Sequence, residues 1–500
     1  MKRLGIWLQN HLLALSGYAA GIVFFVLFPL YFHDAFFDIN RCKVNLMYRA
    51  VPGVLAVFAV GLLIAPRKSR KVPVLLLLPS LAFLAVLVIS CGRAGFEKAV
   101  LLGSEGRHCG LYFFAVSVAG CVILSASGIR LRPVLYMAAA AGSAVAVLGI
   151  FNVLGRDPLQ FYEGIAKGQE RMFLSTIGHF DFYGTYLLLM LALSAGLFVT
   201  GTRTEQVVFA TVSLILLCGS LAARTDSVLL GLYAAGFALL FLSGRSWMQM
   251  MRACLFLSAI CLCAVLVPPL YLKYSRFSIQ FGGLYRLFTK GMGLGAGAAF
   301  ALLGLVFAGL SRRFKPLGAG RLCLLGLVLA LLAALALAAL MVRTTKTGSP
   351  AELCLNDAFG SRRGYIWIRG VRAYRDYTPL DRIFGRGLDL TKRITRPYIE
   401  NAAEEKLSGG VYNDAHCQPL QLLLTCGALG MSLFLAHYLQ LCALLVRHAP
   451  EDSELTCLAA AMAAYLVVLL INVTQPILIG IFFALSGLTI ARLCQTEGTA

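Results

Sequence analysis

Charge is what this sequence lacks. Only 13% of its 500 residues are Asp, Glu, Lys or Arg, against about 25% in a soluble domain. Acids are the scarcer sign, 23 against 44 Lys and Arg. No pair of cysteines has CxxC or other metal-ligand spacing among the 15 present, and most of them lie inside apolar runs where Cys acts as a small hydrophobe. The sequence has no phosphate-cradling P-loop, no Ser-His-Asp signature and no dinucleotide fingerprint. Cofactor-bearing and hydrolase classes are therefore set aside, and no cofactor and no metal is expected. The net charge of +21 is scattered over short loops without interleaved aromatics, which excludes nucleic acid as a partner. It fits a positive-inside bias and attraction to anionic headgroups.

What is present is hydrocarbon. The composition is 59% hydrophobic with a mean hydropathy of +0.81. Apolar runs of 18 or more recur from end to end, each able to cross a core of roughly 30 Å. The runs are continuous and do not alternate, so a β-barrel is excluded. The reading is an all-α polytopic membrane protein whose partner is the lipid bilayer. Fourteen spans are predicted, with an uncertainty of two, near 12–32, 50–66, 73–91, 109–127, 132–153, 181–200, 206–223, 227–243, 253–271, 291–311, 322–342, 416–446, 455–473 and 476–493. Met1-Lys2-Arg3 leads into a full-length span with no small-residue cleavage pattern, so no cleavable leader is expected. Compact basic loops such as Arg67-Lys68-Ser69-Arg70-Lys71 and Arg312-Arg313-Phe314-Lys315 mark one face as cytoplasmic.

That orientation puts one large polar insert, residues 343–415, outside. It separates eleven spans in 1–342 from the last spans in 416–493, with a short tail at 494–500. The insert holds thirteen Lys or Arg and nine Asp or Glu. Within it, Arg363 to Tyr377 reads as an amphipathic helix ended by Pro379, and Gly385-Arg386-Gly387 reads as a turn. The insert closes on Asp414-Ala415-His416, where the next span opens. An imidazole at a membrane boundary is suited to acid–base work near neutral pH, and Asp414 is placed to orient it. A boundary histidine that only caps its helix is an equally weighted reading. Arg363 heads the candidates for gripping a diphosphate, since a planar guanidinium matches phosphate oxygens. Arg107, Arg171 and Arg224 sit at other outer span mouths. Asp181 reads as an N-cap. For Arg369 and Arg375 a solvent or headgroup role is favoured.

These segments, in order, resemble the O-antigen ligase/polymerase family. Arg363-Gly-Tyr-Ile-Trp367, Pro379-Leu380, Gly385-Arg386-Gly387, Asp414-Ala415-His416, Leu420-Gln421-Leu422 and Cys426-Gly427-Ala428-Leu429-Gly430 follow its pattern. Arg171 to Tyr186 and Gly106-Arg107 to Leu111 resemble earlier segments of it. The sequence departs where the family usually has Asn after the histidine (here Cys417), at Pro419, at His179 in place of a common Asn, and at Asp226-Ser227 in place of a Ser-Arg pair.

The resemblance implies a glycosyltransferase of the bacterial inner membrane with its site on the extracytoplasmic face. It would move glycan from an undecaprenyl-diphosphate carrier to a glycan or lipid acceptor, with His416 as the catalytic histidine and Arg363 near the diphosphate. Joined to the residues, this gives a metal-independent, inverting transfer. Two alternatives stay open: a transporter or flippase for a lipid-linked glycan, and a catalytically drifted envelope scaffold.

Overall fold

In hydrocarbon every peptide group must find its partner within its own segment, so long apolar runs fold as helices. The computed structural model describes residues 2–33, 38–66, 72–163, 165, 168–316, 318, 326, 339, 341, 343, 354–357, 359–399, 413–472 and 475–497. Among the described residues, ten helices of sixteen or more residues precede the insert: α1 (Lys2–Ile22), α2 (Ile39–Ile64), α3 (Val74–Arg93), α4 (Leu111–Ala126), α5 (Leu131–Val153), α6 (Phe180–Thr200), α7 (Arg203–Leu221), α8 (Asp226–Leu242), α9 (Trp247–Tyr274) and α10 (Gly293–Leu310). The insert contributes α11 (Phe359–Arg375), α12 (Pro379–Phe384) and α13 (Thr391–Thr395), and the chain ends on α14 (Gln418–His448), α15 (Ser453–Ile471) and α16 (Pro476–Glu497). Eleven described helices are long and apolar enough to cross a membrane, and α4 and α8 are shorter apolar helices. The chain is an all-α multi-pass membrane protein. The span expected at 322–342 lies outside the described residues, apart from isolated helical positions.

The core centres on α6 and α16, which are buried along nearly their whole length. Helix α6 packs against α7 and α15, and α16 packs against α4. Helices α2 and α10 are far more exposed and lie at the periphery. At the end of the bundle away from the insert, Arg132 pairs with Glu205 at 2.9 Å and Arg492 with Asp452 at 2.7 Å. Arg132 also reaches Glu454 at 3.4 Å, so these pairs tie α5, α7 and α16 to the start of α15.

Helix α2 begins at Ile39, well before the expected boundary at 50. The extension carries Lys43 into the core. A π-helical turn (Val23–Leu27) and a short piece (Phe28–Leu30) continue α1. The Lys43 ammonium donates to the carbonyls of Phe28, Pro29 and Tyr31 at 3.0, 2.9 and 2.6 Å. It thus satisfies peptide oxygens that the helix end leaves without partners.

The insert is seated by a break in α14. Gly427 takes φ 71° and ψ −176° inside that helix, a conformation open to glycine, and a β-carbon there would strike the Ile383 carbonyl. The break frees the carbonyls of Leu424 and Thr425. Leu424 O accepts from Arg386 N at 3.3 Å and from the Tyr377 hydroxyl at 2.8 Å. Thr425 O accepts from Gly387 N at 3.0 Å and from the Ser90 hydroxyl of α3 at 2.7 Å. The Gly385–Gly387 turn therefore plugs the kink, and Gly385 (φ 74°) also has no room for a side chain against Cys426 and Thr425. Helix α11 does not lie open to the lipid surface: Ala373 and the following Tyr377 pack with Leu424 of α14 and Ile394 of α13. It ends at Arg375, and Pro379 instead opens α12 behind the Thr378 N-cap, a position where the missing N–H costs nothing.

Candidate functional site

His416 lies two residues before α14, not on its first turn, and takes φ 47°. Cys417 is the N-cap and Pro419 falls in the first turn. The loop that holds His416 is clamped from four directions. The Trp367 indole of α11 donates to Ala415 O at 2.9 Å. The Gln421 side-chain oxygen, from α14, accepts from Ala415 N at 2.9 Å. The Asp414 carboxylate accepts from His416 N at 2.7 Å. Its other oxygen pairs with Arg107, which precedes α4.

Arg107 and Asp414 are both buried, as is Asp389 on the insert. Arg107 Nε meets Asp389 at 2.8 Å. Asp389 is further satisfied by Ser104 N at 2.7 Å, the Ser104 hydroxyl at 2.9 Å and Cys109 N at 3.4 Å. Burial alone would favour loss of the Arg107 proton. Asp414 and Asp389 outweigh that and hold the guanidinium charged above its ordinary value. Asp389 carries no sequence signal of this role, since its partners lie 280 to 285 residues upstream.

A second wall comes from the segment before α6. Strands β1 (Phe173–Leu174) and β2 (Gly178–His179) form a two-residue hairpin with Phe173 opposite His179. Its tip is tied down: Ser175 N donates to Asn152 at 2.7 Å and the Thr176 hydroxyl to Pro29 O at 2.7 Å. The N-cap of α6 is His179, whose Nδ1 accepts from Asp181 N at 3.3 Å, so Asp181 sits in the first turn and is not itself the cap. The imidazole of His179 stacks on Phe180 with ring centres 4.5 Å apart. The Arg224 guanidinium lies 4.9 Å from the centre of the same Phe180 ring.

Arg224 occupies the turn between α7 and α8 with φ 64° and is buried. Its terminal nitrogen donates to Arg171 O at 2.6 Å, while its Nε has no hydrogen-bond partner among the described residues. Burial pushes it down to about 10 against the pull of Asp181. The Arg171 side chain is exposed. Asp226, where the family has Ser-Arg, accepts Leu284 N at 3.2 Å and so anchors the short helix Gly283–Leu287.

Arg363 lies one helical turn before Trp367 on α11. One of its terminal nitrogens donates to Gly360 O at 3.0 Å, and its buried Nε meets no partner among the described residues. The two walls converge electrostatically at His416. Burial holds its imidazole below the ordinary value. Asp414 and Asp181 pull up, and Arg363 and Arg107 push down. His179 is likewise depressed, first by burial and then by His416 and Arg224, against Asp181 and Asp414. His416, Asp414, Arg363, Arg107, Arg224, Asp181 and His179 thus act on one another from five separate segments. Arg369 is turned elsewhere, paired with Asp357 and lying 3.9 Å from the centre of the Tyr365 ring. Among the described residues no cluster of three or more His, Cys, Asp and Glu is disposed to hold a metal.

What this arrangement can do follows from its charges. An imidazole kept neutral at pH 7 accepts a proton. Guanidiniums on either side, two of them with an unpaired buried N–H, stabilise an anion that arrives or forms beside it. No curated protein matches this chain. Residues 277–435 match the model of the O-antigen ligase family. That stretch contains Arg363, Trp367, Asp389, the Gly385–Gly387 turn, Asp414, His416, Gln421 and the Gly427 break, while Arg107, Arg171, His179 and Arg224 come from the connections between the preceding helices. Over those residues the chain is similar to the O-antigen ligase family, a match that supports assignment to that family, and the same residues build most of the buried architecture around His416.

Proposed function

We propose that this membrane protein is a glycosyltransferase of the bacterial inner membrane that works on the extracytoplasmic face. The donor is a glycan on an undecaprenyl-diphosphate carrier, and the acceptor is a hydroxyl of a second glycan or of an envelope lipid. The acceptor oxygen attacks the anomeric carbon from the side opposite the diphosphate. The new C–O bond forms as the bond to the phosphate oxygen breaks, so the anomeric configuration inverts. The acceptor proton passes to the neutral imidazole of His416, and the electron pair leaves with the carrier diphosphate.

Arg363 and Arg224 take the charge of the departing phosphate, with Arg171 at the exposed rim. Guanidinium groups supply the cation, so the reaction needs no metal. Asp414 orients the loop through His416 N and stabilises the imidazolium as it forms. Arg107 has a different part from the phosphate contact expected of it. With two buried carboxylates on its guanidinium, it is a positioning residue that fixes Asp414. The observation that carries this reading is the four-way clamp on Asp414-Ala415-His416 beside Arg363.

The test is transfer in vesicles supplied with lipid-linked donor and acceptor. His416→Ala and Arg363→Ala should each lower turnover by at least ~100-fold, as is typical for a lost base or oxyanion partner. Near-normal turnover of both at normal expression would overturn the assignment.

A further inference from the structure

A cavity of about 470 Å3 opens between the end of α3 and the insert. Its size falls within the ~300–1,000 Å3 of small-ligand sites. Arg93, Glu97, Asp381, Arg386, Arg393 and Tyr398 line it. It is separate from the His416 clamp. Gly385, at its edge, docks on the Thr425 end of the outer part of α14, while His416 precedes the Gln418 end, roughly 10 Å away at ~1.5 Å per residue.

The chemistry of the lining is selective. Three guanidiniums face two carboxylates, an excess of one positive charge. Arg93 pairs with Asp381 at 2.7 Å, Arg386 with the same carboxylate at 3.2 Å and Arg393 with Glu97 at 3.0 Å. Arg393 and Glu97 are 67% and 48% exposed. Pairs this exposed are held by only ~0–1 kcal/mol, so an incoming carboxylate or phosphate can displace them at little cost. The Arg386 guanidinium lies over the Tyr377 ring, 4.2 Å from its centre. Tyr398 is held by its hydroxyl on Asp376 at 2.8 Å, which presents an ordered aromatic ring to the cavity. Planar donors and acceptors beside an aromatic ring suit sugar hydroxyls and the apolar face of a pyranose. A site for a bare phosphate headgroup has no use for Asp381 and Glu97.

We propose that this cavity is a glycan subsite that binds an acidic oligosaccharide segment, remote from the reacting sugar. The proposal rests on the glycan-transfer reading above and adds a specificity site to it. The segment lies in the cavity with its carboxylate or phosphate on Arg93 and Arg393 and a ring on Tyr398. The remainder of the chain runs along the outer part of α14 toward His416.

The experiment is calorimetric binding, without turnover, to the full chain in phosphatidylcholine nanodiscs. The probes are tetragalacturonate, maltotetraose and glycerol 3-phosphate. Tetragalacturonate should bind, more weakly as salt rises, and at least tenfold more weakly to Arg93→Gln/Arg393→Gln. Both of these side chains are partly exposed, so the folded protein should survive the change; unaltered thermal melting would establish this. His416→Ala should bind the tetramer as the parent does. Equal binding of maltotetraose, unchanged binding to the double variant, or loss of binding in His416→Ala would each overturn the proposal. Binding of glycerol 3-phosphate alone would make the cavity a headgroup site and overturn it as well. Full transfer by His416→Ala would instead sink the catalytic reading, while tetramer binding lost only in the double variant would still support the cavity.

Discussion

Replacing Arg107 by Met removes one cation from between two buried carboxylates. Asp389 keeps three donors, from Ser104 N, the Ser104 hydroxyl and Cys109 N. Asp414 keeps the donor from His416 N. The uncompensated charge is therefore felt most at Asp414. Breaking a buried pair by removing one partner costs ~3–5 kcal/mol, a factor of at least ~100 in the folding equilibrium. Neutralising the orphaned carboxylates as well, in Arg107→Met/Asp389→Asn/Asp414→Asn, should restore ~1–4 kcal/mol of this. Unfolding in mixed dodecyl sulfate micelles, followed by tryptophan fluorescence, reads the three-way cycle. Transfer should not return with stability, because the Asp414 carboxylate no longer supports an imidazolium. A loss below ~1 kcal/mol in Arg107→Met, or full transfer by the triple variant, would refute the buried-triad account.

Other outcomes follow from the same geometry. Transfer should be level through pH 7 and fall only below the ordinary imidazole value of ~6.5, because burial depresses His416. Asp414→Asn removes an upward pull and should move that acid limb to lower pH. Arg363→Gln removes a downward push and should move it to higher pH. A pH–rate profile that shifts the other way in either variant rejects the assigned neighbours. Because its folded value is depressed, His416 should contribute full stability above ~6.5 and lose it as pH falls through the lower folded value, readable as a melting temperature that drops on acidification. Trp367→Phe deletes the donor to Ala415 O and should cost ~1 kcal/mol of stability with a fall in turnover larger than any rise in KM; unchanged turnover would show that this clamp is dispensable. Gly427→Ala places a β-carbon on the Ile383 carbonyl in a positive-φ conformation and should cost at least ~1–3 kcal/mol, measured in the same micelle titration; a neutral effect would mean the break in α14 can relax.

The helical architecture was legible because hydrocarbon leaves a long apolar run no other way to satisfy its backbone. Helix ends were less so. Hydropathy puts the start of α2 eleven residues late, because Arg41, Lys43 and Arg49 make the true first turns look like a loop. Lys43 belongs inside only because three carbonyls at the end of α1 receive it, a contact that hydropathy does not register. The motif residues were visible as an ordered set, but the causes of their spacing were not. Trp367, Gln421 and the Gly385–Gly387 turn are there to hold Ala415 and to fill the break at Gly427. Asp389 escapes a sequence reading because its partners lie far away in the chain and no local period or spacing marks it, and His179 reads only as a departure from a motif because its neighbours Arg224 and His416 come from distant segments.

The ammonium of Lys43 also constrains how the protein is made. Lys43 is only the fifth residue of α2, where the side chain of a lone helix could snorkel to the interface, but here it is buried against carbonyls that follow the preceding helix. Its burial therefore requires the first two helices to pair, and they are expected to recognise each other as a hairpin before docking onto the rest of the bundle.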